Sequence, residues 1–127
     1  MKYTLDKHEQ YCKFKPNEDK IDSTVAPVFK SEFVTMQAEG VKNVILDLSD
    51  VKYMDSSGLS ALLVGNRIFS ESGGILVICQ VGEHVMKLIS ISQLDKVLNI
   101  LPTVEEGVDA VFMHEIESGL TSEESED

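Results

Sequence analysis

Two short apolar runs on either side of an amphipathic stretch constrain the fold of this chain more than any other feature. The runs at 43–48 and 75–79 are rich in Val, Ile and Leu, a pattern typical of buried strands. Between them, 58–72 carries apolar residues at helical spacing and ends at Gly73-Gly74. We therefore predict an α/β fold in which right-handed β-α-β crossovers join parallel strands. The 75–79 strand is the most hydrophobic, and we place it at the centre of the sheet.

The other predicted elements surround this unit. We expect most helices on one face of the sheet and antiparallel N-terminal strands at one edge. Cys12 and Phe14 alternate with polar neighbours and should face the core, as should a stripe at Phe29, Phe33 and Met36. The further elements are expected at these positions: strands at 3–15 (with a break near 7–9), 20–21 and 97–101, and helices from Ser23 or Thr24 to Gly40, at 83–91 and at 104–116.

Length and charge indicate one domain with an acidic end. The chain has 127 residues and a formal net charge of −11, and from His114 onward it carries six acidic residues and no Lys or Arg. We expect a single domain at 1–116 and an acidic disordered tail at 117–127. The part of the chain before this tail is also net negative. It therefore disfavours nucleic acid as a partner, because phosphate contacts require a basic face.

The sequence also bears on compartment and cysteine chemistry. No apolar run approaches the length that spans a bilayer, and residues 1–10 lack the apolar stretch of a signal peptide. We therefore expect a cytoplasmic protein with no membrane partner.

Cys12 and Cys79 should be buried free thiols, and no Cys and His cluster has the spacing of a metal site.

The tetrapeptide Asp55-Ser56-Ser57-Gly58 is the best candidate for a functional site. Its simplest interpretation is structural, with Asp55 or Ser56 capping the helix that follows. A serine hydrolase is a remote alternative, because the nucleophile elbow requires Gly-x-Ser-x-Gly. The residues two positions before Ser57 and Ser56 are instead Asp55 and Met54.

The surroundings of this tetrapeptide resemble the STAS family, and within it the bacterial anti-sigma factor antagonists (anti-anti-sigma factors). The resemblance covers about 3–113. Before the first helix the chain departs from the family's usual Gly-Glu-Leu-Asp loop and Thr-Ala pair, with Asp19-Lys20-Ile21-Asp22 and then Val25-Ala26 in their place. The resemblance is strongest in these segments: the 44–48 strand, Val51-x-x-Met54-Asp55-Ser56-Ser57-Gly58-Leu59, Leu62-Leu63, Gly73-Gly74 with the strand after it, and Val85-x-x-Leu88 continuing to Leu94.

The resemblance implies a STAS-like mixed β-sheet and a role in transcription regulation by partner switching. In bacterial members the serine before the glycine is phosphorylated, which is Ser57 here, with Ser56 as the second choice. The implied partners are an anti-sigma factor with serine kinase activity and a serine phosphatase, and no catalytic residue, cofactor or metal is implied. An alternative is a STAS module that senses a small ligand or nucleotide in another regulatory system. The expected partner-binding residues are Ile21, Asp22, Ser23, Met54, Asp55, Ser56, Ser57, Leu59 and Ser60.

The position of Ser57 suits such a modification. The first turn of a helix has backbone N–H groups without intrahelical partners, so a phosphate there should gain hydrogen bonds and a favourable helix dipole. The phosphate would add a charge of about −1.5 to −2 beside Asp55. We therefore expect phosphorylation to change the binding surface without unfolding the domain.

Overall fold

A five-stranded sheet and four helices make up the chain in the computed structural model, which describes residues 1–126 and the side chains of 1–119. The strands run in the order β1-β2-β4-β6-β7, and β3 and β5 form a separate two-stranded pair. The elements are β1 Tyr3–Lys7, β2 Cys12–Pro16, β3 Lys20–Ile21, α1 Ala26–Ala38, β4 Asn43–Asp47, β5 Tyr53–Met54, α2 Ser56–Glu71, β6 Ile75–Cys79, α3 Glu83–Ile91, a 3₁₀ turn Leu94–Lys96, β7 Asn99–Leu101 and α4 Val104–Glu126.

The sheet is mixed, as the sequence predicts. β1 and β2 pair antiparallel, whereas β2, β4, β6 and β7 pair parallel, with Ile45 opposite both Lys13 and Val77. The prediction of parallel strands at 43–48 and 75–79 is confirmed. The central strand, however, is β4 rather than β6, because β2 extends the sheet beyond β4. All five residues of β4 are buried, in keeping with a strand covered on both faces.

Helices α1, α2 and α3 cover one face of the sheet, and α4 covers the other. On the larger face the Phe33 ring contacts those of Phe14, Phe29 and Phe69, with centroids 4.9–6.0 Å apart. On the face covered by α4, Val111 packs in a smaller cluster of buried side chains from β4 and β6. The prediction that most helices lie on one face is therefore confirmed.

Helix α1 begins later than the sequence predicts. Its first residue is Ala26 and its N-cap position is Val25, which makes no side-chain cap, whereas the sequence favoured a start at Ser23 or Thr24. The reason is a turn at Asp22, whose carbonyl accepts hydrogen bonds from the N–H groups of Val25 (3.1 Å) and Ala26 (2.8 Å). This turn uses the polar residues that could otherwise have capped the helix.

Both cysteines are free and buried, as predicted. Burial raises the pKa of the Cys12 thiol. Burial also raises the pKa of the Cys79 thiol to about 11, and the carboxylates of Asp47 and Glu106 act in the same direction. Both thiols therefore stay protonated at neutral pH.

The last helix extends beyond its predicted end near residue 116, since α4 is continuous to Glu126. The disordered acidic tail predicted at 117–127 falls largely outside the residues whose side chains are described, so it stays a prediction. Across the described part of the chain, the helices are too short or too polar to cross a membrane.

Candidate functional site

Ser57 lies in the first turn of α2, directly after a side-chain cap. Asp55 is the N-cap residue, and its Oδ1 accepts hydrogen bonds from the N–H groups of Ser57 (2.9 Å) and Gly58 (3.2 Å). The capping interpretation of Asp55 is thus confirmed, and Ser56 begins the helix. The Ser57 side chain is half-buried, and its hydroxyl makes no hydrogen bond with the residues that the structure describes. The hydroxyl is therefore available for chemistry.

The pair of β3 and β5 holds the loop before α2 in place. Ile21 lies opposite Met54 in this parallel pair, and the Asp55 N–H donates to the Ile21 carbonyl at 3.3 Å. A Cβ on Gly58 would overlap the Met54 side chain and lie 2.8 Å from the Ile21 carbonyl oxygen. The glycine after Ser57 is therefore required by the close approach of these two segments.

A second polar turn faces this one from the start of α1. The Asp22 carboxylate accepts hydrogen bonds from the N–H (3.0 Å) and the hydroxyl (2.6 Å) of Thr24. These bonds hold the pKa of Asp22 below its usual value. Asp22 is therefore ionised at neutral pH.

A cleft of about 310 Å³ separates the beginnings of α1 and α2. We call it the serine cleft, because four of its seven lining residues are serines and its one cationic lining residue is Lys30. Ser56 and Ser60 are one turn apart on α2 and so lie on the same face of the helix. The lining residues are Ser23, Ala26, Pro27, Lys30, Ser56, Ser57 and Ser60.

A smaller cleft of about 130 Å³ is lined by Asp55 together with residues of β3 and β5. The Tyr53 and His84 rings line it and contact each other edge to face, with centroids 5.0 Å apart. Tyr53 is 53% exposed although it lies next to the buried Met54. This cleft adds an aromatic edge to the polar surface around Ser57.

The structure divides the predicted partner-binding residues into two groups. Ile21, Met54 and Leu59 are 0%, 5% and 6% exposed. In this conformation their side chains lie beneath the surface and contribute little accessible area to it. Direct contact of these three side chains with a partner stays a prediction, and their burial gives them mainly a supporting position in the free domain. The accessible members are Asp22, Ser23, Asp55, Ser56, Ser57 and Ser60.

Sequence reasoning missed Lys30, Tyr53 and His84 as members of this surface. Lys30 follows Ala26 by one helical turn, so the same face of α1 carries both, and this spacing was a usable signal. No spacing in the sequence indicates that Tyr53 lies beside His84, because the strand β5 that carries Tyr53 was not predicted. Within the described part of the chain, no group of three or more His, Cys, Asp or Glu side chains is arranged to hold a metal ion.

Comparison with known proteins gives this surface a context. The STAS domain model matches residues 3–107. The anti-sigma-B factor antagonist of Bacillus subtilis is 31% identical over 88 residues, which are 69% of this chain and 80% of that protein.

Two solved structures share the fold. A Thermotoga maritima protein, described as a candidate anti-sigma factor antagonist, superposes with a TM-score of 0.79 at 26% identity, covering 86% of this chain and 93% of that one. The phosphorylated form of the Bacillus cell fate determinant SpoIIAA superposes with a TM-score of 0.66, covering 87% of this chain and 99% of that one, and at 20% identity its likeness concerns the fold alone. The family match spans most of the chain and includes every residue of the site described above. The chain therefore belongs to the STAS domain family.

Proposed function

We propose that this chain is an anti-sigma factor antagonist that binds an anti-sigma factor, releases a sigma factor and is switched off by phosphorylation of Ser57. The observation that carries the proposal is the placement of Ser57, a half-buried serine with an unbonded hydroxyl at the start of a capped helix. The similarity of this chain to the anti-sigma-B factor antagonist of Bacillus subtilis supports the same function. In this proposal the chain acts in the cytoplasm as a binding protein and performs no catalysis.

The surface around Ser57 supports partner binding by polar and aromatic contact. Asp22 and Asp55 contribute carboxylates, the exposed Tyr53 contributes an aromatic ring, and the serine cleft lies between the starts of two helices. Aromatic residues are favoured at protein interfaces because they bury a large area while keeping a polar group at the edge. This surface suits a partner that carries basic and apolar side chains.

Phosphorylation would alter this surface strongly. A phosphate on Ser57 adds about −1.5 to −2 charges beside the Asp55 carboxylate. An anti-sigma factor that contacts the unmodified hydroxyl would have to desolvate this charge, which costs several kcal/mol when no cation of the partner meets it. The serine kinase activity is assigned to the anti-sigma factor, and a serine phosphatase restores binding.

A phosphorylation assay tests the modified residue. The full chain is incubated with ATP and the anti-sigma factor captured from a lysate of the source organism, and peptides are mapped by mass spectrometry. Phosphate should appear on Ser57, disappear in Ser57→Ala and persist in the matched control Ser56→Ala. Phosphate on another residue, or modification that survives in Ser57→Ala, would exclude the proposed switch.

A further inference from the structure

Three of the first-turn N–H groups that a phosphate on Ser57 would be expected to use already donate to Asp55. The N–H groups of Ser57 and Gly58 donate to the Asp55 carboxylate, and the Leu59 N–H donates to the Asp55 carbonyl at 3.1 Å. Displacing the cap would cost about 1 kcal/mol of helix stability. The sequence-based expectation that the phosphate gains hydrogen bonds from these three N–H groups therefore needs correction, and a nearby cation would stabilise the phosphate in their place.

Lys30 is placed to supply that charge. It lines the serine cleft from α1 together with Ser57 and Ser60 of α2. It is half-buried, and it forms no ion pair or side-chain hydrogen bond with the residues whose side chains the structure describes. A lysine whose flexible side chain has no fixed partner can turn its ammonium group toward a new anion at little cost.

The other charges around the cleft make Lys30 the important cation. Asp55 caps α2 and Asp22 precedes α1, and both carboxylates belong to residues that line the smaller cleft. Lys20 and His84 line the smaller cleft and not the serine cleft. Among the residues that line the serine cleft, Lys30 alone carries a positive charge.

We infer that Lys30 is the internal counter-ion of phosphorylated Ser57 and holds the phosphate within the serine cleft. The inference rests on the proposed phosphorylation of Ser57 and adds a positioning residue to it. The off state is then a folded domain in which the phosphate and Lys30 fill the cleft. The phosphate therefore blocks the partner by occupying this surface as well as by its charge.

The pKa of the phosphate tests this pairing. Phosphoserine is placed at position 57 of the full chain during translation, so the test does not require the kinase, and ³¹P chemical shifts are followed against pH. A nearby ammonium favours the dianion, so Lys30→Gln should raise the second pKa of the phosphate by about half a pH unit or more. Lys30→Arg should keep the wild-type value, and Lys87→Gln, which removes an exposed charge of α3 outside the cleft, should leave it unchanged.

A second measurement uses no lysine variant. Acetylation of each lysine by a soluble reagent is compared by mass spectrometry between the phosphorylated and unmodified chains. Labelling of Lys30 should fall several-fold on phosphorylation, and labelling of Lys87 should stay constant. Equal phosphate pKa values in wild type and Lys30→Gln, an equal rise in Lys87→Gln, or unchanged labelling of Lys30 would overturn the inference. A kinase that modifies another residue would instead overturn the proposed function and leave these results intact.

Discussion

At the scale of single residues, Asp55 organises the start of α2 because one carboxylate oxygen accepts hydrogen bonds from two backbone N–H groups. Asp55→Ala should lower the free energy of unfolding by about 1 kcal/mol, since both donors lose their acceptor. Asp55→Asn keeps an acceptor oxygen and should lose much less. Urea unfolding measures both, with the exposed Asp109→Ala of α4 as control. A loss in Asp55→Ala no larger than in Asp109→Ala would contradict the capping role.

At the scale of elements, the packing of α1 against α2 sets the width of the serine cleft. A Cβ on Gly65 of α2 would lie 2.8 Å from the Phe33 ring of α1, inside van der Waals contact. Gly65→Ala should therefore force the helices apart and destabilise the domain by about 1–3 kcal/mol. At Gly119 an added Cβ meets no atom within 4 Å, so Gly119→Ala is the matched control. Thermal unfolding that gives equal midpoints for the two variants would refute this close packing.

The elements also show what a sequence can and cannot predict. The Ile75–Cys79 strand and the Glu83–Ile91 helix have the predicted bounds, because strong hydrophobic periodicity and glycine punctuation define them. The two-residue strand Tyr53–Met54 has no such pattern, since its one pairing partner is the equally short Lys20–Ile21. Likewise, the burial of Met54 and Leu59 depends on tertiary packing, which a local sequence pattern does not reveal. The sequence analysis therefore predicted both as contacts with a partner.

At the scale of the whole molecule, the core keeps two thiols protonated, and this couples stability to pH. The pKa of Cys79 rises from an ordinary 9.0 to about 11 on folding. Its contribution is therefore fully present below pH 9 and is lost as pH rises toward 11, because the unfolded thiol ionises first. Urea unfolding from pH 8 to pH 11 should show a shallower decline in Cys79→Ala than in wild type. Equal slopes would show that Cys79 contributes nothing to the pH dependence.

At the scale of the whole molecule, the proposal is that one fold presents two different surfaces around Ser57, one unmodified and one phosphorylated. Its central claim is that phosphate on Ser57 abolishes binding to the anti-sigma factor while the domain stays folded. Isothermal titration calorimetry of that anti-sigma factor against the unmodified chain, the chain with phosphoserine at 57 and Ser57→Ala tests this directly. Phosphorylation should weaken the affinity by about 100-fold or more, equivalent to roughly 3 kcal/mol, whereas Ser57→Ala should bind within a few-fold of wild type. Equal affinity of the phosphorylated and unmodified chains would contradict the claim.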